Sequence, residues 1–417
     1  MAQWTRNDEV AQALEPFIDG GTLAGVATLE WRADGGRHAT CVGWRDREAG
    51  LPVERDTIFR VASMSKPITS VAALMLWEDG RFALDDPIAR WAPEFAEMRV
   101  LRSPTAALDD TVPAERPITF EHLLSHRSGL TYGAAHAPPI AAAFAQALGR
   151  DIDSELAPDQ WMAALATLPL IDQPGAALHY GHSTDLLGLL VARIAGVSLG
   201  RLLRERIFEP LGMPDTGFLV PPVHWHRRAT LYGFDDRGAL VARATGPGGS
   251  TVPERPADMA YESGGQGLWS TLDDYAAFAR LFVQGGEVDG VRILRPETVR
   301  MMMTNVLSAD QRARSEVVGW PLFASGYGFG LGVAVVMEPE AALPSICGGT
   351  RGAVGWPGGF GGWWRADPTE GSVRVFLAHN IVEFEQFSRG IGFGVQSAIA
   401  RFQAASTVPG VHRPAAG

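Results

Sequence analysis

Near the N-terminus, residues 21–33 and 38–44 concentrate β-branched and other apolar residues on either side of Asp34-Gly35-Gly36. A turn of that composition between two such runs predicts a β-hairpin. After Phe59-Arg60-Val61 the pattern changes, and Ile68, Val71, Ala72, Met75 and Leu76 recur at helical spacing until Gly80. The spacing predicts a helix over residues 63–80, with Pro67 in the first turn, where a missing N–H costs little. Ser63 then stands at a helix start.

From about residue 86 to 250 the chain is rich in Ala, Leu, Pro and Arg, with helical patterns at 120–126, 158–168, 184–196 and 199–208. Beyond Gly264-Gly265-Gln266-Gly267 come two further helical stretches, 271–284 and 296–303. Strand-like runs follow at 327–337, 353–356, 361–366 and 372–379, and a last helix near 394–404. The order predicts an α/β (α+β) fold in which residues 1–85 and 251–417 build one antiparallel sheet flanked by helices. Residues 86–250 would form a mostly helical second lobe. The chain shows neither a fixed-period repeat nor a low-complexity linker.

Composition narrows the function classes. At 417 residues, 46% hydrophobic and 20% charged, this is a globular chain of enzyme size. A net charge of −11 and a pI near 5.4 argue against a nucleic-acid or anionic-membrane surface and toward a small organic ligand. The N-terminal stretch lacks the apolar core of a secretory leader, so a cytoplasmic location is expected. No run has the length and purity of a membrane span. Cys41 and Cys347 are too few for a disulfide framework or a thiolate metal site and read as small packing residues.

One residue type stands out. Lys66 is the single lysine, so the remaining 35 of the 36 basic Lys and Arg residues are arginine. Arginine stays protonated in proteins, whereas a buried lysine can lose its proton and act as a base. In Ser63-Met64-Ser65-Lys66 the lysine lies three residues after a serine, on the same face of the predicted helix. Backbone N–H groups at that helix start are free to receive a developing oxyanion. A serine nucleophile activated by Lys66 is the chemistry this spacing allows.

A wider motif set accompanies it. His122-Leu-Leu-Ser-His126-Arg-Ser-Gly-Leu130, Pro174-Gly175 with Tyr180, Glu209-Pro-Leu-Gly-Met213, Gly264-Gly-Gln-Gly-Leu-Trp-Ser-Thr271 and Tyr327-Gly-Phe-Gly330 follow in order. Together with Ser-x-x-Lys they resemble the serine β-lactamase/penicillin-binding-protein superfamily, in its class C branch. The resemblance implies that Ser63 is the nucleophile, Lys66 a proton acceptor and Tyr180 the second member of the base pair, titrating jointly with the lysine.

Two departures from the lactamase pattern bear on substrate. Tyr180-Gly181-His182 stands where class C lactamases have Tyr-x-Asn, and Trp356-Pro357-Gly358 where they have Lys-Thr-Gly. An indole at the position of a carboxylate-holding cation is similar to the family VIII carboxylesterases. That similarity implies an oxyanion hole from the backbone N–H groups of Ser63 and Gly359, and an ester substrate. Trp356, Gly358, Phe360 and His182 are the expected substrate-binding residues, with Arg351 or Arg365 as alternative carboxylate anchors. No metal or organic cofactor is implied.

The competing nucleophile is Ser198, in Gly196-Val-Ser-Leu-Gly200, which matches a Gly-x-Ser-x-Gly elbow. An elbow needs a strand running into a helix, and Ser198 lies between two helical patterns, so it is expected to cap the second. His224 and His226 are spaced like a metal pair but have no third ligand near them in sequence. The expected function is a serine carboxylesterase acting on short-chain or small-molecule esters. A β-lactamase, a D-alanyl-D-alanine peptidase, an amide hydrolase or an acyltransferase would use the same acyl-enzyme, and a catalytically silent binding protein on this scaffold is the reading the intact Ser63, Lys66 and Tyr180 favour least.

Overall fold

Alternation along the strands decides how the sheet is covered. In the computed structural model, which describes residues 4–406 except 137, 150–153, 244–254, 318–319, 383–385 and 387–388, eight strands form one antiparallel sheet. They are β1 (Gly25–Arg32), β2 (Arg37–Asp46), β3 (Leu51–Pro52), β4 (Tyr327–Phe329), β5 (Ala334–Val336), β6 (Val354–Gly355), β7 (Trp363–Asp367) and β8 (Ser372–Ala378). Their spatial order is β4-β5-β6-β7-β8-β1-β2-β3. β1 and β8 pair from Val26↔Ala378 to Arg32↔Ser372, so the two ends of the chain meet at the sheet centre.

Successive side chains on β8 point to opposite faces. Val373, Val375 and Leu377 enter the main core, while Phe376 and Ala378 enter a second cluster with Val10, Leu14, Val395, Ile399 and Phe402. That second cluster lies under helix α1 (Asp8–Asp19) and the C-terminal helix Phe393–Ala405. Because both faces are covered, β8 is buried along its whole length, with its one charged residue, Arg374, paired to the buried Glu30. Helix α1 was not expected from the apolar spacing; Asn7 caps it by accepting from the backbone N–H groups of Glu9 and Val10.

The main core joins the other sheet face to helix α2 (Ser65–Glu78) and to the helices of the intervening segment, among them Pro158–Ala166 and Ser183–Ala195. Every residue of α2 from Ser65 to Leu76 is buried, so it runs through the interior rather than over the surface. The middle of the chain also carries two short hairpins, Arg99–Leu101 with Thr111–Pro113 and Tyr232–Phe234 with Leu240–Ala242. The expected lobe boundary at 250 lies outside the described residues. The expected strand 327–337 is two strands, because positive φ at Gly332 turns the backbone between β4 and β5. Among the described residues, no single helix is long and apolar enough to cross a membrane.

Beside the sheet, His379 is enclosed by the rings of Phe59, Trp269 and Phe360, and its Nδ1 lies 2.9 Å from the Ala229 carbonyl. Burial drives its pKa down to about 3, and burial likewise lowers His126 to about 3. Both are neutral in the fold and free to protonate near 6.5 once unfolded, so their contribution is fully present above pH 6.5 and is lost as pH falls toward 3. We expect His379→Gln to flatten the fall in stability between these limits by up to about 1.4 kcal/mol per pH unit, read from unfolding at several pH values. Parallel profiles for the two proteins would contradict this.

Candidate active site

The turn that presents Ser63 is built by a strand that stops abruptly. Phe59-Arg60 pairs antiparallel with Trp269-Ser270, and Val61 N–H still reaches the Leu268 carbonyl at 2.9 Å. At Ala62 the backbone turns to φ 46°, a conformation that costs a non-glycine residue roughly 1–2 kcal/mol. The chain then enters a single 3-10 turn, Ala62–Met64, and α2. Ser63 therefore stands at a sharp strand-to-helix turn, 8% exposed.

One helical turn later Lys66 is 1% exposed, and its Nζ meets three oxygens. These are Ser63 Oγ at 3.1 Å, Tyr132 Oη at 3.1 Å and the Gly265 carbonyl at 2.9 Å. An ammonium has three N–H donors, so this set satisfies it completely; as an amine, the same nitrogen can accept the Ser63 proton. The ring of Tyr180 lies 4.6 Å and that of Tyr132 5.6 Å from Nζ, adding cation–π attraction. A buried amine is costly unless its partners are in place, and here they are.

Tyr180 precedes the helix Ser183–Ala195, held by His179 N–H donating to the His126 carbonyl at 2.8 Å. A Cβ on Gly181 would lie 2.3 Å from the Thr131 backbone, so glycine is what lets the Tyr180 and Tyr132 segments touch. The Tyr180 hydroxyl accepts from the Trp356 indole N–H at 2.9 Å. Trp356 follows β6 and is fixed by Phe323, stacked at an interplanar angle of 2°, and by Phe329 edge-on. His126, with φ 54°, packs its ring 5.0 Å from that of Tyr180 and its Nε2 3.2 Å from Thr184 Oγ1.

Gly358 and Gly359 close the other side. A Cβ on Gly358 would lie 2.4 Å from the Val61 carbonyl oxygen, so the turn sits directly against the segment that carries Ser63. The turn is set by Gly358 N–H donating to the Gly362 carbonyl at 2.7 Å. Gly359 is exposed, and nothing lies within 4 Å of where its Cβ would be.

Two expected pocket residues are buried. His182 is fully buried, its Nδ1 3.2 Å from Asp185 and its ring among Tyr132, Phe144 and Trp161, because the helix that begins at Ser183 turns it into the core. Phe360 is buried on Ala62 and Leu231, next to the Ser63 turn. Arg365 is buried against Glu370 and Gln403, and Arg351 is exposed on the turn where Thr350 bonds Asp367, so neither is placed with Trp356. Ser198 caps the helix Leu199–Leu203 by accepting from Arg201 N–H. His224 and His226 lie in the 3-10 turn Pro222–Arg227.

Sequence reasoning passed over Tyr132, Gly265 and Asp185. Tyr132 follows the Ser128-Gly129-Leu130 stretch by two residues, and its scarcity, as one of six tyrosines, was the sole signal. Gly265 acts through its carbonyl, which no side-chain pattern reveals.

Comparisons with known proteins identify the family and the fold. The β-lactamase family model matches residues 10–386. Protein Rv1367c of Mycobacterium tuberculosis is 42% identical over 88% of each chain, and esterase EstB of Burkholderia gladioli is 32% identical over 82% of each. The solved structure of EstCE1, described as a hydrolase with promiscuous acyltransferase activity, superposes with a TM-score of 0.74 at 27% identity. That superposition covers 94% of this chain and 97% of EstCE1.

The contact at Gly358 leads to a prediction. In Gly358→Ala the added carbon must push the Gly359 turn away from Val61. Labelling of Ser63 by a fluorophosphonate should then slow about tenfold, roughly 1.4 kcal/mol in the barrier, with the circular dichroism spectrum retained. An unchanged labelling rate would show that this approach does not shape the site.

Proposed function

We propose that this chain, which belongs to the β-lactamase family within the serine β-lactamase/penicillin-binding-protein superfamily, is a carboxylesterase acting through an acyl-enzyme on Ser63. The observation that carries the proposal is the 3.1 Å contact between Ser63 Oγ and Lys66 Nζ at a strand-to-helix turn. Relatives in the family are serine hydrolases, and two of the similar proteins are named esterases.

In the proposed reaction Lys66, acting with Tyr180, takes the Ser63 proton as Oγ bonds to the ester carbonyl carbon. Charge developing on the carbonyl oxygen is received by the backbone N–H groups of Ser63 and Gly359. The carbon–oxygen bond to the alcohol breaks as Tyr180 returns the proton to the leaving oxygen. Water then attacks the acyl carbon, the same pair takes its proton, and the carboxylic acid leaves with Ser63 restored. Tyr132, bonded to Lys66, holds the amine in line with Oγ. An alcohol taking the place of water would give acyl transfer, the side activity named for EstCE1.

Trp356 favours esters over β-lactams. Its indole N–H is directed at Tyr180, and its side chain is 3% exposed, so it brings no cation to a lactam carboxylate. Small esters with apolar groups fit an aromatic surround of this kind.

Lys66→Arg is expected to keep the fold while lowering turnover of a short-chain nitrophenyl ester by at least about a hundredfold, since a guanidinium does not accept the proton. The unsubstituted protein should hydrolyse that ester far faster than a chromogenic cephalosporin. Near-normal activity in the arginine variant would remove Lys66 from the mechanism, and cephalosporin turnover rivalling that of the ester would make the protein a lactamase.

A further inference from the structure

Beneath Lys66 lies a buried carboxylate that the proposed reaction does not use. Asp185, in the first turn of the helix Ser183–Ala195, is fully buried. Its Oδ1 accepts from Ser263 Oγ at 2.5 Å and from Gly265 N–H at 3.0 Å, and its Oδ2 lies 3.2 Å from His182 Nδ1. The loop it holds has little freedom elsewhere. Ser263 Oγ also accepts from Gln266 N–H at 3.1 Å, and the Gly264 carbonyl accepts from Thr69 Oγ1 at 2.7 Å. Glycine is required here, because a Cβ on Gly265 would lie 2.9 Å from both Asp185 carboxylate oxygens.

This same loop offers the Gly265 carbonyl to Lys66 Nζ. We propose that Asp185 is a positioning residue for the nucleophile's activator: its carboxylate fixes the loop that receives Lys66, and its negative charge stands behind the site that activates Ser63. The proposal rests on the reading of Ser63 and Lys66 given above and adds to it a group that touches neither substrate nor Ser63.

Charge and burial support both halves. Burial works to raise the Asp185 carboxyl, yet hydrogen bonding and charge from His182, with Lys66 and Ser263 adding to them, hold it below the ordinary carboxylate value. A carboxylate kept ionised in the interior strengthens the hold of neighbouring bases on their protons. The groups facing Lys66 are Ser63, Tyr132, Tyr180 and the Gly265 carbonyl, with the ring of His126 packed against Tyr180. His126 stays neutral, since burial and then the charge of Lys66 take its pKa down to about 3. His182 faces Asp185 from the opposite side to the loop and carries the position where a lactamase has asparagine. Its burial under Tyr132 makes it a partner of the carboxylate and not of the substrate.

The test is the pH dependence of Ser63 labelling by a fluorophosphonate, which reads nucleophilicity without any assumed substrate. In Asp185→Asn an oxygen remains for Gly265 N–H, but the charge is gone. Every base near that charge then binds its proton less tightly, so the midpoint of the labelling profile should move to lower pH by roughly one unit. A weaker base and a looser loop should lower the plateau rate about tenfold. Labelling stoichiometry corrects for any unfolded fraction.

A midpoint that stays in place overturns the proposal, whatever the plateau does. Should Asp185→Asn fail to fold, Ser263→Ala decides: it keeps the charge and cuts one anchor, so the plateau should fall several-fold with the midpoint unmoved, and an unchanged plateau overturns the proposal. An unsubstituted protein that takes no label at Ser63 would instead remove the acyl-enzyme reading on which all of this rests.

Discussion

The arrangement depends on burying one amine and giving it three oxygens. Lys66 lies inside α2 at 1% exposure, and Ser63, Tyr132 and Gly265 come from three separate stretches of chain to meet it. Leaving such a group without partners in the interior would cost several kcal/mol. The folding of the strand-to-helix turn, the Tyr132 loop and the glycine loop around a single nitrogen is therefore one linked event. Close contacts that only glycine permits, at Gly181, Gly265 and Gly358, bring the segments together.

Much of the fold was legible because its elements are periodic. The helix after Ser63, the four late strand runs and the C-terminal helix carry strong apolar spacing, and each is present with ends shifted by a few residues, except that the first strand run is divided in two at Gly332. Helix α1 was less visible, since it buries only Val10, Ala11 and Leu14 and contains Pro16. Its signal lies in the Asn7 cap and the acidic first turn.

At the site, side chains with distinctive chemistry could be found from sequence and their orientations could not. Ser63 and Lys66 share a face because three residues separate them, and Tyr180 brings its ring to 4.6 Å from Lys66 Nζ from the segment before another helix. His182 and Phe360 were placed beside the substrate by their nearness to Tyr180 and Gly359 in sequence. In the structure a helix start turns the first inward, and the second is buried on Ala62 next to Ser63. Trp356 faces Tyr180 because Phe323 and Phe329 hold its ring, a constraint carried by residues some thirty positions away in sequence.

The central claim is that Ser63 carries the acyl group during turnover. The most direct measurement is to quench the protein during steady turnover of a slowly deacylating nitrophenyl ester and map the added mass by peptide mass spectrometry. The account predicts an acyl adduct on the peptide containing Ser63, appearing with the nitrophenol burst and decaying at the turnover rate. An adduct on another serine, such as Ser198, or turnover with no adduct at any residue would contradict it.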